Sequence, residues 1–123
     1  MQFELSSGPN SVLFGLGSEE PTVTDANVVL GTLHPAELLA GRMKIDRARA
    51  VEAVERLGAR LGLDAMATAQ GIVSIVTANM ARAIRVISVQ RGHDPREYAL
   101  VAFGGAGPLH AGPLAREPGV PPI

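Results

Sequence analysis

Apolar residues recur at helical spacing in two neighbouring stretches of the chain. From Arg47 to Leu61 the residues Val51, Val54, Leu57 and Leu61 fall on one stripe, with Asp46 placed to cap the start and Gly62 to end it. From Ala65 to Arg91 the stripe is Ala69, Ile72/Val73, Val76, Met80, Ala83/Ile84 and Ile87, opened by Asp64 and stopped by Gly92. Inside it, "IVSIVT" is β-branched enough for a strand, and Gly71 costs about 1 kcal/mol against alanine in a helix interior. The following "ANMARAIRVISVQRG" keeps the same helical phase, so the pattern predicts one long helix. Its middle is apolar on nearly all sides, which predicts burial between layers.

Shorter elements flank this pair. "TVTDANVVLG" predicts a short helix with Thr24 as N-cap, Asp25 at the positive end of the dipole and Gly31 as stop. "HPAELLAG" repeats that layout, with Pro35 at the first helical position and Gly41 as stop. "HDPREY" predicts a turn capped by Asp94, and "YALVAF", which does not alternate, predicts a fully buried strand. Gly104-Gly105-Ala106-Gly107 then leads into a helix from about Pro108 to Arg116. Residues 1–20 are rich in Gly, Ser and Pro and read as irregular, with one short strand at "SVLF". The expected fold class is α+β, predominantly helical. Residues 21–123 read as one domain, with a helical hairpin over about 46–91 and a strand, glycine turn and helix over 98–117.

Composition narrows the classes of function. The chain has 123 residues, of which 46% are hydrophobic, and its only aromatic residues are Phe3, Phe14, Tyr98 and Phe103, so the core is aliphatic. Cysteine is absent, which excludes disulfides and thiolate metal sites and fits a cytoplasmic setting. The net charge of −1 argues against nucleic-acid and membrane-surface partners. Residues 1–41 carry five acids and no base, and the remainder carries eleven bases and seven acids, so the halves stand at −5 and +4. Within the long helix, the charge-free stretch 65–81 falls short of a membrane span.

Chemistry gathers at the glycine turn. Glycine admits positive φ and lets a ligand approach the backbone, and free amides at a helix start favour an anion. A close-packed corner would select the same residues, so local chemistry leaves both readings open. Asp25, a candidate catalytic carboxylate, and Asn27, a candidate ligand contact, are set against the alternative of capping and local bonding. His110, one turn into the last helix, is a candidate to face a ligand at the turn or to pair with a carboxylate, or else a packed core histidine. His34 and His93 lie beside prolines or turns and read as structural, and the three histidines lack metal-ligand spacing. Arg82 and Arg85 reach either an anionic partner or the solvent edge.

The runs "EPTVTDANVVLG" and "ANMARAIRVISVQRGHDPREYALVAFGGAGPLHA", with their spacing, strongly resemble the A-type subunit of the hydantoinase/oxoprolinase family, from about Glu20 to Ile123. The resemblance implies an ATP-dependent enzyme acting on cyclic amides or related carbonyl compounds, by ring-opening hydrolysis or by carboxylation. It implies an actin-like, ribonuclease-H-related ATPase fold in which Gly104, Gly105, Ala106 and Gly107 contact the adenosine and neighbouring phosphate. ATP is the implied cofactor, with a divalent metal such as Mg possible in the intact enzyme; no metal site is expected in this chain. The implied partners are the rest of the A subunit and a B-type subunit. Residues 1–19 depart from the family pattern, lacking "GPACYG". The family's first phosphate loop lies upstream of the matching region, so the chain is expected to be a fragment, inactive alone, that self-associates as a homodimer. A non-catalytic helical self-association module and a generic nucleotide-binding domain remain the alternatives.

Overall fold

The computed structural model describes residues 20–34, 46–104 and 106–123. The expected strand at "SVLF", the "HPAELLAG" helix and Gly105 lie outside the described residues. The chain divides into two compact units, one up to Val73 and one from Ser74 to Ile123.

In the first unit, helix α1 (Val23–Val29) packs on helix α2 (Arg47–Leu61). The N-cap of α1 is Thr22, not Thr24: Thr22 and Asp25 form a reciprocal capping box, in which each side chain serves the other's backbone N–H. The Thr-x-x-Asp spacing needed for that box starts at Thr22; from Thr24 the third residue on is Asn27. Asp46 caps α2 by accepting from Arg49 N–H, and Gly62, at φ 71°, closes it in the left-handed conformation.

The buried face of α2 comprises Ala50, Ala53, Val54, Leu57 and Gly58, whereas Leu61 is exposed. The expected stripe favoured the larger side chains. The helices instead meet where alanine and glycine let them approach, with Val28 and Ala50 forming a small core joined by Leu33. Two exposed pairs flank this unit, Arg56 with Glu52 at 3.3 Å and Arg60 with Glu20 at 3.0 Å. The second joins the acidic and basic halves of the sequence.

Helix α3 (Ala65–Gln90) is continuous, as its phase implies, and Asp64 caps it by accepting from Ala67 N–H at 2.7 Å. Thr68, Ala69 and Ile72 are its buried residues in the first unit, and Thr77 and Ala81 in the second. The expected all-round burial is not observed. Ile75, Val86, Ile87 and Val89 are each 45–69% exposed. At 26 residues α3 is long and apolar enough to cross a bilayer by length and composition, although its charge-free part falls short. It carries Arg82 and Arg85 within its apolar length, which is expensive in lipid.

In the second unit, Ala81, Leu114 and Val120 form the core, with Met80, Ile84 and Leu100 against it. Asp94 caps a 3₁₀ turn at Pro95–Glu97, and helix α4 runs Gly107–Ala115. The expected strand over 98–103 does not form, and no strand occurs among the described residues. Leu100 N–H donates to Pro122 O at 2.7 Å, but Tyr98, Val101 and Phe103 are 51–83% exposed. A strand is a property of a pair, and no ladder partner lies alongside this run among the described residues. The described residues are thus helical, in line with the predominantly helical expectation, but without the strand of an α+β fold.

Candidate functional site

The geometry of the turn between the 98–103 segment and α4 bears on both explanations for its glycines. Gly104 sits at φ 86°, a conformation that side-chain-bearing residues rarely adopt. A Cβ built on Gly104 or on Gly107 meets nothing within 4 Å. Close packing among the described residues therefore does not select glycine at either position. Among the described residues, the N–H groups of Gly104, Ala106 and Gly107 donate to no protein acceptor. Ala106, the N-cap of α4, supplies no side-chain cap, and Pro108 in the first turn has no N–H. Open space and uncommitted donors at a helix start are what an anionic ligand group requires. Gly105, the remaining expected contact, lies outside the described residues.

His110 follows in α4 and is buried, at 8% exposure. Its Nδ1 has no hydrogen-bond partner among the described residues, nor does the buried Thr77 Oγ1. A buried polar atom left unsatisfied costs about 1–3 kcal/mol. No sequence signal reveals such an orphaned atom, because the residue type is the same whether or not its neighbours can pair with it.

Asp25 and Asn27 belong to the first unit, and the glycine turn and His110 to the second. Asp25 is fully buried, and its Oδ2 accepts from Thr22 N–H at 2.8 Å and from Thr22 Oγ1 at 3.0 Å. Asn27 Oδ1 accepts from Thr32 Oγ1 at 2.8 Å, while its carbonyl takes Thr32 N–H at 3.0 Å and Leu33 N–H at 3.2 Å. These bonds hold the two ends of α1. Among the described residues no cluster of three or more His, Asp or Glu side chains is placed to hold a metal ion.

Three of the other singled-out groups, Arg85, His93 and Asp94, take structural partners. Arg85 donates from Nη1 to Pro118 O at 2.6 Å, tying α3 to the segment after α4. Tyr98 Oη lies 3.0 Å from His93 Nδ1, with the rings edge to face. Asp94 is held below the usual carboxylate range, at about 2, chiefly by its side-chain hydrogen bond from Arg96 and then by Arg96 N–H.

The chain belongs to the hydantoinase/oxoprolinase family, whose model matches residues 4–123. The match takes in most of the N-terminal segment that departs from the family's glycine-rich motif. Caprolactamase subunit alpha of Pseudomonas jessenii is 40% identical over 114 residues, covering 92% of this chain and 16% of that protein. The crystal structure of that ATP-dependent caprolactamase superposes with a TM-score of 0.83 at 41% identity, over 94% of this chain and 17% of that one. The gamma subunit of acetophenone carboxylase from Aromatoleum aromaticum is 45% identical over 105 residues, 85% of this chain and 14% of that protein. Nucleotide-free acetone carboxylase, from work on ATP-dependent acetone carboxylation, gives a TM-score of 0.80 at 29% identity, over 89% and 16% of the two chains. This chain thus spans about a sixth of the length of the relatives it matches.

Proposed function

We propose that this chain is a segment of an ATP-dependent hydantoinase/oxoprolinase A-type subunit, and that residues 104–107 are its adenosine- and phosphate-side turn. The parent enzyme acts on a cyclic amide or a related carbonyl compound. The observation that carries the reading is the close structural similarity, at 41% identity, to an ATP-dependent caprolactamase. An ATP-dependent carboxylase of similar structure places the same scaffold beside a second carbonyl chemistry. The actin-like ATPase architecture belongs to this reading, as do a B-type partner subunit and a cytoplasmic setting. Relatives named as alpha and gamma subunits support the partner.

The residues present fit a nucleotide. Gly104 and Gly107 leave room beside the backbone, and the N–H groups of Gly104, Ala106 and Gly107 can donate to phosphate or ribose oxygens without first losing an internal bond. ATP, when bound, supplies the free energy of phosphoanhydride cleavage, and a divalent cation such as Mg²⁺ accompanies its phosphates. The work of this chain is to bind and orient. Asp25 and Asn27 support α1 in this reading, and His110 backs the turn from inside α4.

The 123-residue chain is expected to bind ADP or ATP weakly and to hydrolyse neither. Calorimetric titration with ADP checks this, using Gly107→Val as the comparison: the added side chain has open space in the free protein but occupies the approach to the amides. Retained fold with lost binding is the expected result. Equal ADP binding by both proteins would remove the turn from the site, and ATP turnover by the chain alone would overturn its assignment as a binding segment.

A further inference from the structure

Two buried polar atoms of the second unit lack a partner, and the register of its helices sets them at the same level. Arg85 Nη1 reaches Pro118 O, and a Cβ on Gly119 would lie 3.2 Å from Arg85 Cδ. Further back along both elements, Ala81 and Leu114 share one core. Helices α3 and α4 therefore run in the same direction. One turn earlier stand Thr77, on the face of Ala81, and His110, on the face of Leu114. Thr77 is 4% and His110 8% exposed. Thr77 Oγ1 and His110 Nδ1 are both enclosed, and neither has a hydrogen-bond partner among the described residues. Because this chain itself encloses them, another segment of a longer subunit cannot reach either atom while the fold stands.

Thr77 differs from Thr68 of the same helix, whose hydroxyl bonds back to Asp64 O at 2.7 Å. Thr77 Oγ1 makes no such bond, so its proton is uncommitted among the described residues. The other ring nitrogen of His110, Nε2, is not enclosed and is likewise without a partner there. A helical side chain leans back over the preceding turn. For His110 that is the start of α4, where the N–H groups of Gly104, Ala106 and Gly107 are uncommitted. A neutral imidazole has one donor and one acceptor nitrogen, and the bond made by one decides the role of the other. An anionic oxygen at the turn selects N–H at Nε2 and leaves a lone pair on Nδ1, which then needs a donor. The Thr77 hydroxyl is that donor, brought within reach by rotation of the side chains.

We infer that His110 is a ligand contact of the glycine turn, donating from Nε2 to a phosphate oxygen of the nucleotide, and that Thr77 positions it by donating to Nδ1. This rests on the reading of residues 104–107 as the nucleotide turn. The Thr77–His110 bond is not made in the free chain, so occupation of the turn closes it. Two orphaned atoms that destabilise the free state are then satisfied in the bound one. Binding thereby recovers what the unfilled site costs the fold.

The test is nitrogen NMR of the His110 ring in the full chain, with ADP as the probe, beside calorimetric titration of variants. With ADP bound, Nδ1 should report an unprotonated acceptor and Nε2 a protonated donor. Thr77→Val keeps the shape and removes an orphaned hydroxyl, so it stabilises the free chain. It should nonetheless weaken ADP binding about fivefold, the size expected of one hydrogen bond, and that loss cannot be a loss of fold. Thr77→Ser keeps the donor and should bind as the wild type does. His110→Gln sets an amide N–H near the place of Nε2 and should retain part of the affinity. In that background Thr77→Val should have no further effect. ADP shifts at the Gly104, Ala106 and Gly107 amides with the imidazole unmoved would overturn this inference and leave the turn reading standing. A proton found on Nδ1 alone, or equal ADP affinity in Thr77→Val, would do the same. No response of the turn amides to ADP would overturn both.

Discussion

Replacing Gly58 by alanine should destabilise the chain, although helix propensity alone predicts the opposite. Gly58 is buried in the last turn of α2, and a Cβ there would sit 2.6 Å from Leu63 O, 2.6 Å from Thr68 Oγ1 and 3.4 Å from Asp64 O. None of these can yield freely. Leu63 N–H donates to Gly58 O at 2.9 Å, so the corner is pinned against the residue that would be enlarged. Thr68 Oγ1 is engaged with Asp64 O at 2.7 Å. Alanine gains about 1 kcal/mol in propensity. Against this stand overpacking, at about 1–3 kcal/mol, and loss of the closing hydrogen bond, at about 1 kcal/mol. The net expectation is a loss of about 2 kcal/mol. Urea denaturation followed by circular dichroism, at fixed protein concentration, measures it. Gly71→Ala in α3 is the control: nothing lies within 4 Å of that Cβ, and the propensity gain of about 1 kcal/mol should appear unopposed. If Gly58→Ala proves as stabilising as Gly71→Ala, the close approach of the α2–α3 corner is wrong.

Thr77→Val removes a buried hydroxyl that has no partner while conserving shape, and should raise the urea midpoint, a gain of about 1 kcal/mol. Thr22→Ala removes the N-cap and half of the capping box of α1 and should cost about 1 kcal/mol in the same assay. The Asp94 carboxyl should titrate near pH 2 by NMR, and Arg96→Ala should return it toward 3.8. Because the folded-state value is depressed, the stability linked to Asp94 is fully present above the unfolded-state value and is lost as pH falls through about 2. An Asp94 titration unaffected by Arg96→Ala would show that the guanidinium is not its cause.

Element ends were legible because they rest on local chemistry: Asp46, Gly62, Asp64 and Asp94 cap or close the elements that their residue types mark. Buried faces were less so. Periodicity weighted by side-chain size selects Leu61 and Ile87, both exposed, and passes over Ala50, Ala53 and Gly58, where α2 closes on its neighbours. The "YALVAF" strand was misread for a related reason, since a strand's hydrogen bonds lie in another segment. At the glycine turn the residue types left the meaning divided between packing and ligand approach. The described residues leave open space beside Gly104 and Gly107, and that space is invisible in a list of residue types. The cap of α1 was misplaced at Thr24, because the reading did not use the Thr-x-x-Asp spacing from Thr22, whereas the unsatisfied Nδ1 of His110 depends on neighbours that the sequence does not name.

Following each backbone amide by NMR while ADP is added to the full chain tests the central claim most directly. The account predicts saturable shifts concentrated on Gly104, Ala106 and Gly107, with the amides at the ends of α1 unmoved. Saturable shifts elsewhere with these three unchanged, or no response at any ADP concentration, would contradict it.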